Sequence, residues 1–480
     1  MKRREFLTGT ALAGLGAVTL PRIGKAQIMR PRVPVQKVRN VIFLVYDGFS
    51  WEDFAAAQHY ANRHLGRTLA LERFFALGTS GSMLTHSLTS IVTDSSAAST
   101  VWGTGRRTAN ANVGVFPDGQ SLTTILELAK SRGQATGLIT TTRVTHATPA
   151  GFAAHIKDRN QEDEIALQYL EFQPDVVLGG GSRHLDPATR KDGRDLFSEF
   201  AAKGYSVART TDELMKLDGS KAIGAFTPSH LNYEIDRVHQ GVDGPSLAQI
   251  TRKGLQLLSE ASNGFVAQVE AGRIDHANHN NDPATMVWEV LAADETLEVI
   301  LNFADQNPET LLIMASDHGT AGGAVYGVGD NYHRASSAFD TIALRRASYE
   351  FLFEQFGPSP EPSTVVDLVA EHLGVRLSDN DVRLVVDAIH GNPRMVHAAT
   401  YHEQPANSLG WVAAEVRSYD DPRRLNLNYS AGQHTAGPVP IALYGAGTSE
   451  TQLGLVDNTE AYGWMCSAIG VGHENPIMSV

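Results

Sequence analysis

The segment "SIVTDSSAASTVWGTG", residues 90–105, places an acid and two adjacent hydroxyls before a run of mostly small residues. Because aspartate and serine are common N-cap residues, Asp94 and Ser95 could simply begin a helix. A second interpretation makes Ser95 a nucleophile at a helix N-terminus, where free backbone N–H groups and the helix dipole favour an incoming anion. The segment alone leaves both interpretations open.

Side chains that could bind a metal ion follow three apolar runs from distant parts of the chain. Asp47 ends "NVIFLVYD", Glu270 ends "GFVAQVE", and Asp317 and His318 end "TLLIMASDH". Aspartate after a strand is also a common turn residue, so one instance alone would carry little weight. Ligands bind at the carboxyl ends of the strands in open α/β sheets, and three such instances predict a shared site there.

Two further segments extend this set of ligands. In "VEAGRIDHANH", Asp275 and His279 lie four residues apart, so on a helix both face one side and can share a cation. A solvated i, i+4 pair is the alternative, but Glu270 lies within ten residues and favours the cation. His434 lies in the loop "SAGQHTAGP", and Thr148 in "THATPAG" offers a hydroxyl oxygen. Imidazole with carboxylate suits zinc, oxygen ligands with waters suit magnesium, and the set is too large for one ion.

Short apolar runs alternate with helix-length stretches along the chain, which predicts an α/β fold with a central, mainly parallel sheet between helices. The predicted strands are "NVIFLVYDG" (40–48), "ATGLITTT" (135–142), "DVVLGGG" (175–181), "GFVAQVEAG" (264–272), "TLLIMASDHG" (310–319) and "VPIALYG" (439–445). No Gly-Lys-Ser/Thr follows "DVVLGGG", so we interpret it as a strand and turn rather than a phosphate loop.

The stretch from about 330 to 425 has no recognised ligand and predicts an inserted helical cap. "STVVDLVAEHLG" and "SDNDVRLVVDAIHG" have helical spacing, with capping-type starts at Ser363 and Ser378. Such a cap either shapes specificity for the leaving group of a substrate or only covers the sheet, and the sequence favours neither.

The N-terminus combines the pair Arg3 and Arg4 with an apolar segment too short to span a membrane, followed by "GKAQ". Residues 1–26 therefore resemble a twin-arginine export signal, with a chance basic N-terminus as the alternative, and predict a periplasmic or secreted protein. Removal of these residues lowers the net charge from −13 to −17, which argues against binding to a nucleic acid backbone. No later segment approaches the roughly 18 apolar residues of a membrane span. Cys466 is the only cysteine, so no internal disulfide can form.

Together these segments resemble the bacterial alkaline phosphatase family, from Asn40 to about Gly445. "VTDSSAASTVWGTG" resembles the nucleophile segment of that family, and "HATPAG", "VEAGRIDHANH", "SDHG" and "GQHTAG" match in order and approximate spacing. The resemblance implies an alkaline-phosphatase-like catalytic domain over residues 27–480 that hydrolyses phosphate monoesters through a phosphoserine on Ser95. The adjacent Ser96 is the alternative nucleophile, and a homodimer is among the compatible states.

The resemblance also implies the metal ligands and the phosphate-binding residue. One Zn²⁺ would be held by Asp275, His279 and His434. A second Zn²⁺ would be held by Asp47, Asp317 and His318, and one Mg²⁺ by Asp47, Thr148 and Glu270. "AAHIKDRN" resembles the segment that carries the phosphate-binding arginine, here Arg159. Where the best-studied bacterial pattern has an aspartate and a lysine near the third ion, this chain has His146 and His276, so Zn²⁺ or Co²⁺ are alternatives to Mg²⁺ there.

The chemistry that the resemblance implies distinguishes a phosphate monoesterase from a related sulfatase and from a non-catalytic binding protein. Zinc would stabilise the Ser95 alkoxide and acidify the attacking water, and Arg159 would grip two non-bridging phosphate oxygens, one of which is blocked in a diester. A related sulfatase would need a Cys/Ser-x-Pro-x-Arg context, which Ser95 lacks. A non-catalytic phosphate- or metal-binding protein would not need Ser95 among the ligands.

Overall fold

The computed structural model describes residues 38–390, 408–410, 412, 425–448 and 451–478. The predicted export signal, residues 1–26, lies outside the described residues. The strands are β1 (Asn40–Tyr46), β2 (Thr79–Leu84), β3 (Ala135–Arg143), β4 (Val176–Gly180), β5 (Ser206–Ala208), β6 (Ala222–Ala225), β7 (Phe265–Ala271), β8 (Thr310–Ala315), β9 (Gly319–Thr320), β10 (Ala324–Val325), β11 (Leu427–Asn428), β12 (His434–Thr435), β13 (Val439–Gly445) and β14 (Leu455–Asp457).

The α-helices alternate with these strands along much of the chain. They are α1 (Trp51–Tyr60), α2 (Ala70–Leu77), α3 (Ser95–Thr104), α4 (Ile125–Ser131), α5 (Ala147–Ala150), α6 (Glu162–Phe172), α7 (Leu196–Ala202), α8 (Thr211–Lys216), α9 (Glu234–His239), α10 (Leu247–Leu258), α11 (Arg273–His279), α12 (Pro283–Gln306), α13 (Ala335–Asp340), α14 (Tyr349–Phe356), α15 (Pro362–Leu373), α16 (Asp379–Ile389) and α17 (Glu460–Ala468). No helix among the described residues is both long and apolar enough to cross a membrane.

Ten strands form one sheet in the order β14-β2-β13-β8-β1-β7-β3-β4-β6-β5. Its neighbours pair in parallel except on the two sides of β13, which runs antiparallel to β8 and β2. The prediction of a mainly parallel sheet is therefore confirmed, and each of the six predicted strands is present, as β1, β3, β4, β7, β8 and β13.

The sheet is covered on both faces, which explains the continuous apolar runs of its central strands. Every residue of β1, β7 and β8 is buried. Successive side chains of β1 point to opposite faces, so Ile42 and Leu44 join one hydrophobic cluster and Val41 and Phe43 join the other. The ring of Phe43 lies 5.0 Å from that of Trp102 on α3, which fixes this helix against the sheet.

Helices α14, α15 and α16 share a hydrophobic cluster of their own, which includes Leu352, Val365, Val369 and Val385. Both helices predicted in this stretch are present, and Ser378 caps α16 through a hydrogen bond from the backbone of its third residue. The predicted start of α15 at Ser363 is wrong, because Glu361 is the N-cap and a proline, whose missing N–H suits a first turn, begins the helix. Part of the predicted cap lies outside the described residues, and its role stays a prediction.

Candidate functional site

The carboxyl ends of β1, β7 and β8 bring the predicted strand-end ligands to one edge of the sheet. In the paired strands, Val45 lies beside Glu270 on one side and Ala315 on the other. Asp47 and Asp317 therefore leave adjacent strands together, and the backbone N–H of Gly48 donates to Asp317 Oδ1 over 2.9 Å. Gly48 has a φ of +72°, and a Cβ there would lie 2.6 Å from the backbone of α11, so glycine permits both this turn and the close approach of that helix.

The structure brings six of the predicted ligands into two groups, each with ligand atoms within 4.8 Å of one another. The groups are Asp275, His279 and His434, and Asp47, Asp317 and His318. They are contiguous, because the rings of His318 and His434 stack with centroids 3.4 Å apart. These are the two sets that the sequence resemblance implies.

The histidines of the first group present a nitrogen that can bind a metal. Nδ1 of His279 lies 2.6 Å from the carbonyl oxygen of Gly432, and Nδ1 of His434 lies 2.9 Å from that of Thr93. A carbonyl only accepts, so each Nδ1 carries a proton, and in the neutral ring the lone pair then lies on Nε2. The two Nε2 atoms are 3.1 Å apart, and that of His279 is 3.2 Å from Asp275 Oδ2.

The second group has the electrostatics of a cation site. Burial, together with the charges of Asp317 and Asp275, raises the pKa of Asp47 well above its usual range. Asp47 Oδ1 and Glu270 Oε1 are also buried without a hydrogen-bond partner among the described residues. A divalent cation would offset the repulsion and coordinate these oxygens, so the residues present fit bound metal.

The two serines of the opening segment face different partners. Ser95 is the first residue of α3, and its Oγ lies 3.3 Å from Nε2 of His318. Ser96 Oγ instead donates to Asp94 Oδ2 over 2.7 Å. Asp94 caps the helix, as the first interpretation of the segment predicts, and Ser95 stands at the helix N-terminus beside the second group. The role of Ser95 as a nucleophile stays a prediction.

Arg159 is held next to this helix start by two partners. Its Nη1 donates to Asp94 Oδ2 and its Nη2 to His146 Nε2, each over 3.2 Å. Asp94 also accepts from the backbone N–H groups of Ala97 and Ala111. Burial alone would raise the pKa of Asp94, but the guanidinium and these hydrogen bonds hold it below its usual value.

The oxygens that the resemblance assigns to a third ion lie beside Asp47. Thr148 Oγ1 donates to Asp47 Oδ2 over 3.2 Å. Glu270 is completely buried and accepts hydrogen bonds from the hydroxyls of Thr140 and Thr142. Thr148 and Glu270 therefore adjoin the second group through Asp47, as the resemblance implies.

Three imidazoles, His146, His230 and His276, form a cluster, in which His146 lies two residues before Thr148 in the chain and His276 follows Asp275. Ring centroids are 4.3 Å apart for His230 and His276, and 5.7 Å apart for His146 and His276. Each ring contacts one arginine, the pairs being His146 with Arg159, His230 with Arg143, and His276 with Arg273. Burial, followed by nearby positive charge, lowers the pKa of all three imidazoles well below the usual value, so they are neutral at neutral pH.

Sequence reasoning missed two residues of this region. His230 follows β6 in "TPSHLNY", where no spacing or motif marks it. Thr320 donates to Asp275 Oδ1 over 2.5 Å, lies 3.3 Å from His318 Nδ1, and so links the two metal groups. Its position two residues after His318 was the only signal available for it.

Comparisons with known proteins agree with this arrangement. A sequence model of the family described as alkaline phosphatase matches residues 38–471. The chain is 36% identical to the repressible alkaline phosphatase of Saccharomyces cerevisiae over 67% of this chain, and the match spans 62% of that relative's length. It is 29% identical to alkaline phosphatase 4 of Bacillus subtilis, over 88% of this chain and 87% of the relative. The crystal structure of Thermus thermophilus alkaline phosphatase is similar with a TM-score of 0.91 and 47% identity, over 94% of this chain and 95% of that one.

Proposed function

The chain belongs to the alkaline phosphatase family of phosphoric monoester hydrolases, and from this membership we propose that it cleaves phosphate monoesters through a phosphoserine on Ser95. The observation that carries the proposal is the position of Ser95 Oγ, 3.3 Å from Nε2 of His318 in the second metal group. The serine oxygen forms a bond to phosphorus as the ester P–O bond breaks and the alcohol leaves. Water then hydrolyses the phosphoserine and releases inorganic phosphate, restoring the serine.

Asp275, His279 and His434 would hold one Zn²⁺, and Asp47, Asp317 and His318 another. Zinc supplies Lewis acidity, which lowers the pKa of a coordinated hydroxyl or water towards neutral. The protein residues keep the serine, the water and the leaving group close to these charges. They also keep the imidazole nitrogens unprotonated towards the ions, through Gly432 and Thr93 for two of the histidines.

Arg159 would bind two non-bridging oxygens of the phosphate. A guanidinium offers two parallel N–H groups, and the contacts with Asp94 and His146 restrict its orientation. Because a diester has one of these oxygens blocked, this contact favours monoesters.

The third site would hold Mg²⁺ weakly. His146 Nε2 and His276 Nδ1 face guanidinium groups, which only donate, so the proton of each neutral ring lies on its other nitrogen. In this tautomer neither ring accepts a hydrogen bond from magnesium-bound water, as a carboxylate would. Three oxygen ligands from Asp47, Thr148 and Glu270 therefore remain, and such weak binding of Mg²⁺ leaves the site open to replacement by Zn²⁺ or Co²⁺, which bind a given set of ligands more tightly.

The export pathway and the location of the protein also belong to this proposal. Residues 1–26 resemble a twin-arginine signal, and a folded, metal-loaded enzyme is the kind of cargo which that pathway carries. The enzyme would act on small phosphate monoesters in the periplasm or outside the cell.

One assay tests the proposed activity. Purified protein with zinc and magnesium should release phosphate from an aryl phosphate monoester, lose this activity with a chelator, and regain it when the metals return. The rate with the matching diester should be far lower. Phosphate or metal binding without turnover would favour a binding protein, and faster diester cleavage would favour a diesterase.

A further inference from the structure

Arg273 is a buried arginine that the mechanism above does not use. It begins α11, the helix that carries Asp275 and His279, and is only 3% exposed. Its Nη2 donates to Glu350 Oε1 over 2.8 Å, and its guanidinium carbon lies 3.6 Å from the ring centroid of Tyr233. Arginine packed on an aromatic ring and paired with a carboxylate has little freedom to reorient.

A further contact of Arg273 fixes a histidine of the imidazole cluster. Nη1 of Arg273 lies 3.0 Å from Nδ1 of His276. Because a guanidinium has no acceptor, Nδ1 must accept, and the proton of the neutral ring lies on Nε2. Arg273 thus sets both the orientation and the tautomer of His276.

The ring of His276 transmits this restraint towards Arg159. It packs 4.3 Å from the ring of His230 and 5.7 Å from that of His146, and His146 Nε2 accepts from Arg159. Since packed side chains leave little free volume, a shift of His276 must be taken up by its neighbours. Arg273 and Arg159 are therefore connected by direct contacts throughout.

The partner of Arg273 belongs to a helix that is itself firmly attached. Asp236 accepts from both the backbone N–H and the hydroxyl of Ser348, which caps α14. Asp282, between α11 and α12, accepts from the backbone N–H of Tyr349. These bonds fix Glu350 at the start of α14, so the helical stretch that follows β8 is tied to the ligand-bearing α11.

We infer that Arg273 is a positioning residue, which holds His276 and, through the imidazole cluster, Arg159 in the geometry that binds phosphate. Glu350 anchors it to α14, so this helix does more than cover the sheet. The inference rests on the proposed role of Arg159 in phosphate binding.

Three variants separate positioning from general stability. Arg273→Met removes both polar contacts, Glu350→Gln removes the ion pair and keeps the contact with His276, and Glu354→Gln is the matched control. Glu354 lies one turn further along the exposed side of α14. Its charge interacts with that of Arg273, but it accepts no hydrogen bond from Arg273 in the described structure, so Glu354→Gln controls for the loss of a nearby negative charge. We expect Arg273→Met to raise KM for an aryl phosphate and the inhibition constant of inorganic phosphate together by about tenfold, with a smaller change in kcat, because the loss of Arg159 orientation affects ground-state and transition-state binding alike.

Glu350→Gln should raise the same two constants less, and Glu354→Gln should leave them unchanged. Unchanged constants in folded Arg273→Met and Glu350→Gln would overturn the inference, as would lower thermal stability with parental phosphate inhibition. If Arg273→Met does not fold, Glu350→Gln alone decides between these outcomes, since its side chain is half exposed.

A spectroscopic measurement tests the contact independently of turnover. Long-range proton–nitrogen NMR correlations of protein labelled with ¹⁵N-histidine distinguish the two tautomers, and the His276 signals are those missing in His276→Gln. The parent should show the proton on Nε2, and Arg273→Met should change this signal. A proton on Nδ1 in the parent overturns the inference even if the protein hydrolyses phosphate monoesters. An Nε2 proton in a protein that neither binds nor hydrolyses phosphate refutes the proposed function and leaves the contact established.

Discussion

The two adjacent serines at the start of α3 should respond very differently to substitution. Ser95→Ala removes the oxygen next to His318 and should lower kcat by about 10⁴-fold or more, as expected when the nucleophile of a catalytic unit is lost. Ser96→Ala removes a 2.7 Å hydrogen bond to Asp94 Oδ2. A hydrogen bond to a charged group is worth about 1.5–3 kcal/mol. Because Asp94 keeps the backbone donors of Ala97 and Ala111 and the contact with Arg159, we expect a stability loss at the lower end of this range and at most about a tenfold loss in kcat/KM.

Trapping of the phosphoenzyme measures this difference directly. Each variant is incubated with labelled inorganic phosphate at low pH, quenched in acid, and assayed for label that stays with the precipitated protein. The parent and Ser96→Ala should retain label, and Ser95→Ala should retain none. Thermal unfolding of both variants controls for loss of the fold. Label on Ser95→Ala, or its absence from a folded Ser96→Ala that still turns over substrate, would refute the assignment of the nucleophile.

Three further predictions come from the structure, and a fourth comes from the N-terminal sequence. Chelation should abolish activity and lower the unfolding temperature, because the buried carboxylates of the two metal groups lose the positive charge of the bound ions. A cation at a hundredfold its dissociation constant stabilises the native state by about 2.7 kcal/mol. An unchanged melting curve in the metal-free protein would contradict this prediction. Zinc-only protein should have submaximal activity that rises with Mg²⁺ or Co²⁺, and His146→Asp with His276→Lys should tighten Mg²⁺ binding in a calorimetric titration; full activity with an empty third site would count against a role for that ion. Burial raises the pKa of Glu289 from 4.5 to about 8, so the native state binds this proton more tightly than the unfolded state and loses stability as pH rises through that range. In urea unfolding, Glu289→Gln should therefore be more stable than the parent by a few kcal/mol at pH values above about 8. Below about pH 4.5 the substitution should give no gain in stability. Arg3→Lys with Arg4→Lys should leave the protein in the cytoplasm in a cell-fractionation experiment, and normal export would exclude the twin-arginine pathway.

The central strands could be predicted because burial on both faces leaves a continuous apolar run. The missed strands lack that signal. β2 reads "TSGSML" and is mostly half-buried, and β5, β6 and β14 have three or four residues each. Such strands are specified by the neighbours with which they pair, for β2 the antiparallel β13, rather than by their own composition.

In the candidate site too, some residues could be predicted from the sequence and others could not. Ligands that follow strands or share a helical turn have a recognisable spacing in the sequence, and six of them lie in two groups in the structure. The imidazole cluster leaves no such spacing, because His146, His230 and His276 come from three separate segments that meet only in the folded protein. Each ring faces an arginine, and that pairing is equally invisible before the fold is known.

The position of His434 shows how strand direction decides which end of a strand can supply a ligand. The other strand-end ligands come at or after the ends of their strands, whereas His434 precedes β13. Because β13 runs antiparallel to β8, with Ile441 beside Ala315, its first residues lie at the edge where β8 ends. Pairing of His434 with Thr320 in the short strands β12 and β9 then brings the imidazole towards Asp275, to which the Thr320 hydroxyl donates. A parallel β13 would carry the same sequence to the opposite edge, so the first metal group depends on this single reversal in the sheet.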